Sequence, residues 1–129
     1  MTTAKRNGVF GAFVMALILG LPGIASAQFS VSGRFANVGD EPRAEGSWAW
    51  VDNYHGVYVD VSCRRLTPGE TYDVIAWNSF GDAGGQRFVA RRGANSGRVQ
   101  FVMNSAPQWI YVYRVDGADR VLVLAWPAP

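Results

Sequence analysis

His55 is the only histidine in the 129-residue chain and Cys63 the only cysteine. A Ser-His-Asp triad needs an imidazole beside a nucleophilic serine and an orienting carboxylate. Asp52 and Asp60 lie near His55 in sequence, yet no Gly-x-Ser-x-Gly elbow occurs in the chain. His55 falls in the segment Asp52-Asn53-Tyr54-His55-Gly56 and reads as a solvated turn residue. One histidine and one cysteine do not make a zinc site. Calcium needs several oxygens converging from loops; Asp82, Asp116 and Asp119 are scattered, with no Asp-x-Asp-x-Asp-Gly run. Asp116 reads instead as a hairpin residue bonding to backbone. Glycoside cleavage needs two carboxyls in a cleft, whereas Asp40, Glu41 and Glu45 cluster in a polar stretch where solvation is the ordinary explanation. Gly81 to Gly85 lacks a following Lys-Ser/Thr and precedes a strand, so it is no phosphate loop. The expectation is a non-enzymatic chain with no metal and no cofactor.

Two residue classes are suited to binding. Arg87, Arg91, Arg92 and Arg98 crowd one predicted hairpin, with Arg64 and Arg65 elsewhere. On one face they would hold an anion such as a phosphate or an acidic glycan; the ordinary alternative is a charged strand edge that discourages aggregation. The aromatics are more informative. Trp109, Tyr111 and Tyr113 alternate with Ile110 and Val112. Ile75 and Trp77 oppose Tyr72, Val74 and Ala76. Val57, Val59, Val61 and Cys63 alternate with Tyr58, Asp60, Ser62 and Arg64. If the aliphatics fill the core, Tyr58, Trp77, Trp109, Tyr111 and Tyr113 are left for an outer face, with Arg87 and Arg91 as further candidate contacts. Flat rings stack on sugars or anchor a protein partner. The alternative is that arginine stems or a loop cover them.

The elements that must position these residues follow from a period of two. Strands are predicted at about 29–36, 47–52, 57–66, 71–78, 86–92, 98–103, 108–115 and 120–126. The stretch 37–46, which holds Pro42, reads as a loop. Thr67-Pro68-Gly69, Gly81 to Gly85, Gly93 to Gly97 and Asp116-Gly117 read as turns. Short strands at close spacing, with no helical period, predict an all-β antiparallel sandwich of about seven to eight strands. Cys63 falls with the inward set, as a buried thiol or, in an oxidising compartment, one that pairs between chains.

The segment Leu66-Thr67-Pro68-Gly69-Glu70-Thr71-Tyr72-Asp73-Val74 resembles the Leu-x-Pro-Gly-x-x-Tyr-x-Val stretch of fibronectin type III and related immunoglobulin-like domains. The resemblance implies an immunoglobulin-like β-sandwich. It makes Leu66 a core residue and Tyr72 a tyrosine corner, whose hydroxyl bonds back to nearby backbone where the chain passes between sheets. It covers about twenty residues and departs from the family in one respect: four strands are predicted after the glycine loop, where fibronectin type III has one. The order of strand, corner and glycine loop is also similar to that of the extracytoplasmic domain of anti-sigma-K-type factors, which carry it behind a membrane helix. Neither resemblance carries a function with it.

Residues 1–27 read as a cleavable signal peptide. Lys5 and Arg6 precede an apolar stretch from Val9 to Leu21; Pro22-Gly23 then breaks any helix, and Ala25-Ser26-Ala27 supplies the small residues of a cleavage site. The expectation is a secreted or periplasmic product, residues 28–129, forming one domain without a membrane span. Lys5 and Arg6 account for the formal +2 of the whole chain, so the domain beyond them is neutral, and its ten basic residues are all arginine. The sequence pI of about 9.0 is therefore no sign of a nucleic-acid partner. The function these features favour is an exported interaction domain, using an aromatic sheet face for a protein partner or self-association. The alternatives are a carbohydrate-binding module and a ligand-free structural envelope protein.

Overall fold

The computed structural model of the protein describes residues 29–129; the export signal read at residues 1–27 lies outside them. The described chain is all β. Its nine strands are β1 (Phe29–Arg34), β2 (Ala36–Asn37), β3 (Glu45–Asn53), β4 (Gly56–Arg64), β5 (Thr71–Trp77), β6 (Ala83–Val89), β7 (Gly97–Met103), β8 (Trp109–Asp116) and β9 (Asp119–Trp126). They form two antiparallel sheets packed as a sandwich. One has the order β1-β3-β4-β7 and the other β2-β9-β8-β5-β6.

Alternation places the core as expected. Val57, Val59, Val61 and Cys63 of β4 are buried, as are Tyr72, Val74 and Ala76 of β5 and Ile110 and Val112 of β8. Trp48 and Trp50 of β3 fill the same interior, and Trp48 meets Trp126 of the opposite sheet at 4.1 Å between ring centroids. Hairpins join β3 to β4, β5 to β6 and β8 to β9 within a sheet. The links β1–β2, β2–β3, β4–β5, β6–β7 and β7–β8 pass between sheets. The corner segment 66–74 is one of these crossings. Leu66 is buried there, and the Thr67 amide donates to the Tyr72 hydroxyl at 3.0 Å. Four strands follow it.

Four sequence readings of the fold need correction. The predicted hairpin that carries Arg87, Arg91, Arg92 and Arg98 is a crossing instead, because β6 and β7 lie in different sheets. The first predicted strand, 29–36, is two. After Arg34 the chain changes sheets, so Ala36 and Asn37 pair with Ala125 and Leu124. Gly81 to Gly85 is not wholly loop, because β6 begins at Ala83, with Gly85 opposite Ile75. A Cβ on Gly85 would come within 2.3 Å of the Val74 carbonyl oxygen, so the glycine serves close strand approach rather than a turn. Finally, Glu41 is no solvated loop acid. It is 7% exposed and sits under the end of the sandwich, where the Tyr72 hydroxyl, the Thr67 amide and Arg114 all donate to its carboxylate. The loop that carries it is pinned by Asn37, whose side-chain amide donates to the carbonyls of Glu41 and Ala44.

Candidate functional site

Outward positions of β5 and β8 sit side by side in the five-stranded sheet. Trp77 is directly opposite Trp109, Ile75 opposite Tyr111, and Asp73 opposite Tyr113. Cross-strand neighbours on one face lie close enough for their rings to touch. The Trp77 and Trp109 rings stack with centroids 5.6 Å apart and planes 20° from parallel. Tyr111 meets Trp77 edge-on at 4.9 Å, and Tyr113 lies 6.2 Å from Tyr111. All four rings are half-buried, and none of the nine strands crosses this face. The result is a continuous aromatic row along β8 with Trp77 beside it.

The row ends in charge. Arg87 of β6 clamps the Asp73 carboxylate through two bonds, at 2.6 and 3.0 Å. Arg120 of β9 reaches the same carboxylate from the other side at 3.1 Å, and its guanidinium lies 6.0 Å from the Tyr113 ring centroid. The bond from Arg87 holds the Asp73 carboxyl below its ordinary range. Burial, with the neighbouring Tyr111 adding to it, pushes the Tyr113 phenol up. Between Ile75 and Arg87, where Gly84 and Gly85 carry no side chains, lies a shallow depression of about 400 Å³.

The structure therefore unites Trp77, Trp109, Tyr111, Tyr113 and Arg87, and separates two candidates from them. Tyr58 is on the outer side of the four-stranded sheet, opposite Val51 and Val102, where it is 46% exposed. Alternation fixed that it points outward; strand pairing decided which outside. Arg91 follows β6 in the turn to β7 and lines a different depression, beside Arg64 and Arg98. Ile75 lies on the face of Trp77, as its alternation predicts, while sequence reasoning missed Asp73 and Arg120 as members of that face. The available signal was that Asp73 shares an alternation phase with Trp77.

The other chemistry-bearing residues are dispersed. His55 is exposed, and its amide donates to the Asn53 side chain at 2.8 Å. Asp82 accepts from the Asn104 and Ser105 amides, each at 2.8 Å, tying two loops together. Asp116 accepts from the side chain of Arg114 rather than from its own hairpin backbone. Among the described residues no three His, Cys, Asp or Glu side chains converge as a metal site would require. No helix among the described residues is long and apolar enough to cross a membrane. No protein-family model, curated protein or solved structure matches the chain.

Proposed function

We propose that this protein is an exported, non-enzymatic interaction domain that engages a protein partner, or a second copy of itself, through Trp77, Trp109, Tyr111 and Tyr113. One observation carries the reading: four contiguous rings occupy outward positions of a sheet face that no strand covers. An outer sheet face is ordinarily polar. Aromatic anchors rimmed by charged pairs, here Asp73 with Arg87 and Arg120, are the usual composition of a protein interface. A sugar would need flat ring faces free, and part of that surface is already used where Trp77 meets Trp109 and Tyr111.

We read the sandwich as immunoglobulin-like. Support comes from the repeated passage of the chain between sheets and from the Tyr72 corner bond. Cleavage near Ala27 and a secreted or periplasmic location rest on the N-terminal sequence.

The test is a double substitution, Trp77→Ser with Tyr111→Ser. It is compared with the parent by sedimentation over a range of concentrations and by chemical cross-linking in the native envelope. The parent is expected to self-associate or to cross-link to one defined protein, and the variant to do neither while keeping its circular dichroism. Identical behaviour of the two proteins would refute the assignment. Binding of neutral glycans without either association would replace it with the carbohydrate reading.

A further inference from the structure

A second surface lies on the opposite sheet. Arg34 of β1 is directly across from Ser47 of β3, Ser47 from Ser62 of β4, and Ser62 from Arg98 of β7. One row thus crosses all four strands, with two small hydroxyl side chains in the middle and an arginine at each edge. Three strand spacings separate the two arginines, roughly 14 Å. In the neighbouring row Glu45 pairs with Arg64, and Arg91 reaches the same place from the β6–β7 turn. Together they enclose a depression of about 550 Å³, lined by four arginines, three serines and a single carboxylate.

The charges do not balance there. Arg34, Arg64 and Arg65 all converge on Glu45, at 3.7, 2.7 and 3.4 Å. Arg98 is matched by Asp60. Arg91 has no carboxylate partner among the described residues. A domain that is neutral beyond Arg6 has therefore gathered an excess of about three positive charges around one trough. The side chains of Arg34, Arg64 and Arg98 are between 63% and 74% exposed, so the guanidinium nitrogens not already held by Glu45 or Asp60 are within reach of a ligand. Guanidinium forks bind planar or tetrahedral oxyanions in pairs of bonds.

We propose that this trough binds an acidic oligosaccharide, with its sulfate or carboxylate groups on the edge arginines and its hydroxyls over Ser47 and Ser62. No aromatic residue lines the trough, so a nucleobase would find nothing to stack on. A serine floor offers donors and acceptors to a chain of hydroxyls. The site shares no residue with the aromatic row and stands or falls independently of it.

The experiment is calorimetric titration of the purified protein with a sulfated heparin-derived hexasaccharide. The comparison ligands are its desulfated counterpart, inorganic sulfate and phosphatidylglycerol vesicles. Binding of the sulfated sugar is expected, falling steeply as salt is raised and at least tenfold weaker for the desulfated one. Arg34→Gln and Arg98→Gln should each weaken it about tenfold, and Ser62→Ala, which keeps every charge, several-fold. Arg43→Gln, which removes a positive charge away from the trough, should leave it unchanged. Three outcomes would overturn the proposal: equal weakening by Arg43→Gln, binding of inorganic sulfate as tightly as the sugar, or binding of the vesicles alone. Melting curves of each variant separate lost binding from lost fold.

Discussion

The phenolic hydroxyl of Tyr72 donates to the carboxylate of Glu41 at 2.8 Å, joining residues 31 positions apart at the end of the sandwich. Arg114 completes the arrangement from an inward position of β8, directly opposite Tyr72. It donates to Glu41 at 2.9 Å, and its remaining donors hold Asp40 and Asp116. A corner that would otherwise close on one backbone bond is thus tied to the β2–β3 loop and the β8–β9 hairpin. Burial, reinforced by the bond to Glu41, pushes the Tyr72 phenol up to about 12.

Removing one member leaves the others buried and incompletely paired. Tyr72→Phe deprives Glu41 of a donor and should destabilise the fold by about 2 kcal/mol. Arg114→Met removes the countercharge of a carboxylate that is 7% exposed and should cost about 3 kcal/mol. The combination should cost less than the two losses added together, because both act on Glu41. Urea unfolding of the two single variants and the double variant measures this; strict additivity would show that the network is not a unit.

Stability should be insensitive to pH near neutrality and decline in acid. Bonds from Arg98 and Arg87 hold the Asp60 and Asp73 carboxyls below the ordinary 3.8. A carboxyl depressed in the folded state contributes stability that is present above its unfolded value and is lost as pH falls through the folded one. The decline should therefore begin as pH approaches 3.8 and continue below it. Asp73→Asn should be less stable than the parent at neutral pH, and the gap should close in acid. A gap of constant size, measured by urea titration at several pH values, would remove Asp73 from the account.

Cys63 is 3% exposed, and burial pushes its thiol up to about 12. The thiolate is the reactive species, so alkylation of the native protein should be slow and should follow the rate of unfolding. Denaturant should release full reactivity. Rapid labelling of the native protein, or covalent dimers formed by mild oxidation, would place the thiol at the surface after all.

Gly97 opens β7 beside Phe88, where an added Cβ would come within 2.0 Å of the ring. Phe88 in turn stacks on Tyr72 at 5.5 Å and cannot shift alone. Gly97→Ala should destabilise by about 2 kcal/mol through overpacking. Phe88→Leu in that background should recover part of the loss. If the two losses simply add in thermal unfolding, the steric explanation is wrong.

Much of this architecture was legible in the sequence, for identifiable reasons. β4 reads directly, since Val57, Val59, Val61 and Cys63 alternate with polar partners and all four are buried. The corner segment announced both the buried Leu66 and the backbone bond of Tyr72. Less visible was the role of glycine in β6, because a strand that needs close backbone approach and a loop that needs freedom use the same residue. The burial of Glu41 left no local trace, because its donors come from Thr67, Tyr72 and Arg114, far along the chain.

Local alternation tells which side of its own strand each residue takes, because successive side chains of a pleated strand point opposite ways. That was enough to set the buried aliphatics of β4, β5 and β8 apart from the outward rings of the same strands. Which strands lie next to one another emerges from the folded sandwich alone. Strand order is chosen by pairing between distant segments and by crossings from sheet to sheet, neither of which leaves a local period. Hence Tyr58 points outward as its alternation requires, yet lies on the opposite sheet from Trp77 and Tyr111. Arg34 and Arg98, 64 positions apart in the chain, end as the two rims of one trough.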